Sequence, residues 1–412
     1  MMLDVLVFIA LGVALGIFTG FLPGVHVNNL TPMLLALAVG SAFAPMALAA
    51  AIVAMAIMNT FISYIPATFL GAPEAGTELS VLPAHRLLMQ GKGYEVIKLT
   101  AIGCFGGLLL SAALVWPMLL FVGPAYAAIK PQMHLLLAAI VVAMIALERS
   151  KSGILWAAVI FLLSGFLGLL SLDTNLSRGD AALMPLLGGL FGVSTLLLSL
   201  KNTGKMPEQR IDDGPIEMKR NLKPLFAGTA AGALTGIIPG IGPSQGTVLA
   251  QLATRSGGTR EFIVSVSGVN TAKALFSFVA LYAIGRARSG AAVAVEELME
   301  VGFRELVFLV GVALFVGGIA VILHIKLGRF AARNIGHLPY RATCIAVIAG
   351  IACLTFYYSG LVGLLILATA TAIGILPAVV NVKRTHAMGV IMLPCILYFA
   401  GLKGGVLSAL GL

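Results

Sequence analysis

Lys273 stands in the interior of an apolar run, Phe262–Ile284, two residues beyond Asn270-Thr271, and it is the only basic residue so placed. An ammonium at that depth costs about 2.5 to 3.5 kcal/mol on insertion scales, so it faces a cavity, pairs with an acid or neutralises a substrate anion. A lysine snorkelling to the interface is the structural alternative. Asn59-Thr60 lies in a second apolar run and offers an amide and a hydroxyl of the same kind as Asn270-Thr271, and these four residues are substrate-binding candidates with Lys273. Two further clusters, Val25-His26-Val27-Asn28-Asn29 and Ile241-Gly242-Pro243-Ser244-Gln245-Gly246, each follow a Pro-Gly pair, Pro23-Gly24 and Pro239-Gly240. A half-helix starting after such a break turns its unpaired N–H groups and about half a positive charge toward the break, which suits an anion. There Asn28, Asn29, Ser244 and Gln245 either cap the half-helices or also touch a substrate or ion. His26, with an ordinary pKa of about 6.5, is either a coupling group or a hydrogen-bonded structural histidine. Glu74 and Glu78, spaced to share one helix face, either bind a cation or exchange protons, or else solvate and cap a loop.

The elements that hold these residues repeat. Gly16–Gly24 and Gly232–Gly240 both read G-x-x-T-G-x-x-P-G, a shift of 216 positions. Proline costs a helix about 3 kcal/mol and glycine about 1 kcal/mol, so each copy predicts a break inside apolar sequence. Broken helices are tolerated in lipid only where protein or a water-filled cavity covers the bare backbone. Matched breaks in two halves of a chain point to a transporter's binding site, which makes Pro23, Gly24, Pro239, Gly240 and Gly242 substrate-binding candidates. Two ordinary kinks are the plain alternative. Asn59-Thr60 and Asn270-Thr271 read as a second matched pair, each in the apolar span that follows its Pro-Gly.

Composition sets the class. Of 412 residues, 59% are hydrophobic and 10% charged, with a mean hydropathy of +1.05, whereas soluble domains carry roughly 25% charged residues. The chain is expected to be an all-α polytopic membrane protein with inverted-topology repeats, each carrying a Pro-Gly-broken helix pair that is re-entrant or discontinuous. Runs of spanning length occur at Leu3–Leu22, Leu30–Phe43, Met46–Leu70, Leu99–Val122, Met133–Leu147, Ile154–Leu172 and Ala181–Leu200. After a polar stretch come Leu225–Ile238, Thr247–Ala253, Phe262–Ile284, Phe303–Ile325, Ala342–Tyr357, Leu361–Val380 and Ala387–Leu410. The division is a first repeat over 1–200, a linker loop over 201–223 and a second repeat over 224–412. Five spans separate the two Pro-Gly segments, and that odd number inverts the second copy.

This parse leaves only Lys130, Arg178, Arg286, Arg288, Arg304 and Lys403 on the face opposite the 201–223 loop, apart from Lys273 within a span. By the positive-inside rule the loop is cytoplasmic and both termini lie outside. The net charge of +10 is therefore a membrane signature and not one of nucleic-acid binding. The first twenty residues lack a basic n-region and a small-residue cleavage site, and read as a mature helix. Cys104, Cys344, Cys353 and Cys395 lie in apolar runs without metal-ligand spacing and read as packed thiols. Nucleotide and zinc signatures are missing from the sequence, so no cofactor, ATP-driven step or enzyme activity is expected.

Gly20-Phe21-Leu22-Pro23-Gly24, Gly236–Gly242, Phe69-Leu70-Gly71-Ala72-Pro73-Glu74 and Gly93-Tyr94 resemble the large membrane subunit of tripartite tricarboxylate transporters, the TctA family. The likeness covers most of the chain and is nearest to short archaeal-type members. It implies a secondary transporter of carboxylates, coupled to Na⁺ or H⁺, with substrate at the Pro-Gly loops carried by Pro23, Gly24, Pro239, Gly240 and Gly242. For the longer bacterial members it implies a small membrane subunit and an extracytoplasmic binding protein. The first loop, with His26, Asn28 and Asn29, is more polar than a tricarboxylate permease leads one to expect. Bacterial polyprenyl-phosphate translocases share a distant likeness in their paired Pro-Gly re-entrant segments, so a lipid phosphate is the second substrate class. The leading expectation is alternating access of an anion past a midplane site, in a chain free to form a homo-oligomer. An integral membrane enzyme acting on lipid phosphate, for which Glu74 would be the acid, and a channel rank below it.

Overall fold

The computed structural model describes residues 2–22, 27, 30–31, 34, 43–71, 76–148, 150–172, 182–200, 207–211, 216–238, 242–254, 258–335 and 340–409. Among them the regular elements are all helical. In chain order they are α1 (Met2–Phe21), α2 (Pro45–Ile62), α3 (Tyr64–Phe69), α4 (Val81–Leu88), α5 (Gly93–Ile129), α6 (Met133–Ala146) and α7 (Lys151–Leu172). Then come α8 (Leu183–Leu198), α9 (Met218–Ile237), α10 (Pro243–Thr254), α11 (Thr259–Ile284), α12 (Gly290–Leu298), α13 (Phe303–Asn334), α14 (Tyr340–Val379), α15 (Gly389–Phe399) and α16 (Lys403–Ala409). Seven stretches of the described residues are long and apolar enough to cross a membrane, and the chain is an all-α multi-pass membrane protein.

Two of these stretches exceed a single crossing. Gly93–Ala146 runs for 54 residues, about 80 Å at a rise of about 1.5 Å per residue, against a hydrocarbon core of about 30 Å. A 3₁₀ turn at Lys130–Gln132 divides it where the expected spans Leu99–Val122 and Met133–Leu147 part. Inside α14, Gly360 sits at φ 60° and ψ −154°, a conformation open to glycine, and the kink falls between the expected Ala342–Tyr357 and Leu361–Val380. The last expected span, Ala387–Leu410, is instead bent by 112° between Phe399 and Lys403. Helix α9 starts at Met218, within the stretch expected to be loop, because Met218-Lys219-Arg220-Asn221-Leu222-Lys223 has good helix formers on a face that water can reach.

The helices form two compact units, and both halves of the chain contribute to each. The first holds Met1–Tyr126, Lys205–Ile238 and Gln245–Pro339. At its centre are α2 and α11, most of whose residues are buried. Each receives a glycine-lined partner: α1 lays Gly12, Gly16 and Gly20 on α2, and α9 lays Gly228, Gly232 and Gly236 on α11. A methyl group at Gly16 would stand 2.6 Å from Met58 Cβ, and one at Gly232 would stand 2.6 Å from Ala272 Cβ. This close approach through small residues is how helices gain packing in lipid, where apolar burial alone supplies no drive. Of the stretch expected as a solvated linker, Gln209 is buried in this unit, accepting from Gly93 N–H at 2.8 Å and donating to Leu88 O at 3.1 Å.

The second unit holds Ala127–Gly204, Pro239–Ser244 and Tyr340–Leu412. Here α7 packs on α15 through Gly165 and Gly168, and α8 packs on α14 through Gly189 and Gly374. Within α8, residues Gly188–Val193 form a π-turn. Beyond α6, Glu148 Oε1 lies 2.8 Å from His386 Nε2 and accepts from Lys383 N–H at 3.2 Å. Burial alone would raise the Glu148 carboxyl, but the contacts with His386 and Lys383 outweigh it and hold the group below the ordinary carboxylate range. Stability from a lowered carboxyl is complete above its unfolded pKa, about 4.3, and is lost as pH falls through the lower folded value. The melting midpoint is therefore expected to drop on acidification below about pH 4, and Glu148→Gln to flatten that acid arm. An acid arm unchanged in the variant would remove the pair from the account.

Candidate functional site

The two glycine seams of the first unit share one register. Gly12, Gly16 and Gly20 meet Ala51, Met55 and Ile62, while Gly228, Gly232 and Gly236 meet Ser265, Val269 and Phe276. The first helix of each pair is shifted by 216 positions and the second by 214, as those residue numbers give. Thr19 and Thr235 occupy equivalent places, and each hydroxyl donates to the carbonyl three residues back, to Gly16 O at 3.2 Å and to Gly232 O at 3.0 Å. On the partner helices the same shift sets Lys273 opposite Asn59. Asn59 is buried, and its Nδ2 donates to Thr19 Oγ1 at 3.2 Å. Lys273 is half-buried, one turn before Phe276, and its carbonyl flanks Gly236. One repeat thus bonds an amide to the threonine of G-x-x-T-G, and the other carries a lysine at the position equivalent to that amide.

This register parts Asn59-Thr60 from Asn270-Thr271, whose equivalents in the first repeat are Ala56 and Ile57. The dipeptides match in letters but not in place, since they lie 211 positions apart and the packing shift is 214. They do meet each other, since Thr271 Oγ1 donates to Thr60 Oγ1 at 3.3 Å where α11 touches α2. Around that contact lie the Cys104 thiol of α5, 3.5 Å from Thr60 O, and the Tyr64 hydroxyl, 3.3 Å from Val266 O. Asn270 is buried against Gly76, whose φ of +100° and lack of a side chain make room for it. A methyl there would come within 2.7 Å of Asn270 Cγ.

On the other side of the second break, Gly242 is half-buried, and Ser244 and Gln245 are buried in the first turn of α10. Gly246 returns that helix onto the α9–α11 seam, where a methyl would stand 2.8 Å from Thr235 Cγ2 and 3.0 Å from Val269 Cγ1. The candidates Pro23, Gly24, His26, Asn28, Asn29, Glu74, Pro239 and Gly240 lie outside the described residues, as does the side chain of Glu78. Among the described residues no group of His, Cys, Asp and Glu is arranged to hold a metal ion.

His324 is an intramembrane polar group that the pattern search passed over. It is fully buried in α13, with Nε2 2.9 Å from Thr100 Oγ1 and 3.2 Å from Ile97 O, and its ring meets Phe61 edge-on. Thr100 is one helical turn from Cys104, so polar groups run from α13 through α5 to Thr60 and Thr271. Its signal was an ionisable residue within the apolar run Phe303–Ile325, which alone marks a functional candidate. At the helix starts, Arg260 binds Glu95 with both nitrogens of its fork, and Arg220 Nε meets Glu261 at 2.5 Å. These pairs are partly exposed and are worth about 0 to 1 kcal/mol each.

Residues 6–389 match the tripartite tricarboxylate transporter TctA family. Over 408 residues the chain is 28% identical to an uncharacterized protein of Methanocaldococcus jannaschii, covering 96% of this chain and 98% of that one. No solved structure matches. With nearly its whole length inside that match, the chain belongs to the tripartite tricarboxylate transporter TctA family, a family of membrane transporter subunits and not of enzymes.

Proposed function

We propose that the chain is a secondary transporter of a carboxylate-bearing anion, coupled to Na⁺ or H⁺. The observation that carries this reading is the equivalence in register of Asn59, which bonds Thr19, and Lys273. Lys273 is a half-buried ammonium within the apolar run Phe262–Ile284, a charge suited to neutralising a substrate anion. An amide carbonyl and a threonine hydroxyl in the other repeat suit a small hard cation such as Na⁺. In the Pro-Gly loops Pro23, Gly24, His26, Asn28, Asn29, Pro239, Gly240, Gly242, Ser244 and Gln245 are further substrate-binding candidates, and access alternates between the two faces. His26, Glu74 and Glu78 remain the protonatable coupling candidates. The 201–223 loop is cytoplasmic and both termini lie outside. A small membrane subunit and an extracytoplasmic binding protein are the partners that this reading allows, with a homo-oligomer as the alternative assembly.

The test is purified protein melted in a panel of anions at matched ionic strength, followed by uptake into proteoliposomes under an imposed Na⁺ or H⁺ gradient. Citrate or a smaller carboxylate is expected to raise the melting midpoint where chloride does not, and uptake should follow one gradient. Silence toward carboxylates, with stabilisation by a short-chain polyprenyl phosphate, would overturn the reading.

A further inference from the structure

Arg384 opens a 3₁₀ turn, Arg384–Met388, ahead of α15 in the second unit. Its Nη1 donates to Thr195 Oγ1 and lies 3.5 Å from Phe191 O. Phe191 belongs to the π-turn of α8, a rare form found mostly as single turns and often at functional sites. Thus one corner of the guanidinium is anchored. The Nε and Nη2 nitrogens are shut off from solvent and meet no hydrogen-bond acceptor. They form one edge of the planar group, whose two parallel N–H donors match the two oxygens of a carboxylate or phosphate. Buried charged donors without an acceptor are costly and rare, which makes this edge a binding face.

The neighbouring charges leave the edge available to an anion. Glu148, the acid in this cluster, is already engaged by His386 Nε2 and by Lys383 N–H. Two residues beyond Arg384, His386 is fully buried, and its Nδ1 also lacks a partner. From these contacts the geometry points to a second oxyanion site, in the second unit, where Arg384 receives two oxygens side-on while Thr195 and the π-turn carbonyl of Phe191 hold the guanidinium in place. Its ligand is a carboxylate or a phosphate, free or on a lipid headgroup. The site does not depend on Lys273, which belongs to the first unit.

The experiment uses the full chain carrying Lys273→Ala, in nanodiscs of zwitterionic lipid, with citrate and inorganic phosphate titrated against the melting midpoint. A parallel arm replaces part of the lipid with phosphatidic acid. The Lys273→Ala protein is expected still to respond to one of these probes. Adding Arg384→Lys, which keeps the charge but not the fork, should raise the half-saturating concentration about tenfold or more. Thr195→Val, which removes the anchor alone, should weaken the response less, and it reads the same site if Arg384→Lys fails to fold. A response to the free ions assigns a soluble occupant, and a response confined to phosphatidic acid assigns a lipid headgroup. No response to any probe in the Lys273→Ala protein, or an equal response with the Arg384 fork removed, overturns the site.

Discussion

Gly232→Leu is expected to lower the melting midpoint in detergent sharply, whereas Gly311→Leu leaves it unchanged or slightly raised. Both residues are glycines in membrane helices, so the difference rests on what each faces. At Gly232 a single added methyl would stand 2.6 Å from both Ala272 Cβ and Val269 O. Separations under about 3 Å are not tolerated, and one of the two obstacles is backbone, which no rotamer change can move aside. Helices α9 and α11 would have to part along the seam, displacing Gly228 and Gly236 from Ser265 and Phe276 as well. Overpacking a tight core costs about 1 to 3 kcal/mol and sometimes more, a large share of a total stability of about 5 to 15 kcal/mol. Gly311 is exposed on α13 and has nothing within 4 Å among the described atoms. There leucine relieves the helix of a glycine, a gain of up to about 1 kcal/mol. Size-exclusion profiles and melting midpoints of the two variants give the comparison. Equal profiles would mean that the α9–α11 seam does not hold the first unit together.

That seam marks where the sequence was legible and where it was not. Composition and apolar run length were enough for an all-α multi-pass protein, because the bilayer imposes both. The repeated G-x-x-T-G-x-x-P-G was legible as a repeat with a break at its Pro-Gly, but its earlier glycines were given no role. In the structure α1 continues through Gly20 to Phe21, and α9 continues through Gly236 to Ile237. The glycines are packing surface, part of runs at Gly12, Gly16 and Gly20 and at Gly228, Gly232 and Gly236, whose spacing of four was itself a readable sign of close helix contact. The identity of Asn59-Thr60 with Asn270-Thr271 misled, since letters can coincide where the register differs by a few residues. Lys273 has no lysine counterpart to match, so its equivalence to Asn59 emerged only from the packing. The compact units draw on both halves of the chain, because α13 packs on α2 and α5 rather than on its own repeat alone. Such pairings join residues some two hundred positions apart, and no local pattern encodes them.

Anion transport is expected to fail when Lys273 is made neutral, and the pattern of failure across three variants separates charge from structure. Lys273→Gln keeps polarity and most of the length and removes the ammonium. A hydrogen bond to a charged group is worth about 1.5 to 3 kcal/mol, so anion affinity should fall roughly tenfold to 150-fold. Lys273→Arg keeps the charge at a different shape and should retain part of the response, since an arginine fork and an ammonium are not interchangeable. Asn270→Ala is the contrast. Its side chain packs against Gly76 one turn before Lys273 and, in the repeat register, stands opposite Ala56 rather than Asn59. It should lower the melting midpoint while leaving the affinity of the folded protein for citrate nearly unchanged. Citrate-dependent shifts in midpoint give the affinities, and initial uptake rates into proteoliposomes give transport. If Lys273→Gln binds and transports as the parent does, while Asn270→Ala loses both, the anion belongs with the Asn270 contact and the equivalence of Asn59 with Lys273 has no functional meaning. If Lys273→Gln alone loses both and Lys273→Arg restores part, the charge asymmetry between the two repeats is what selects an anion.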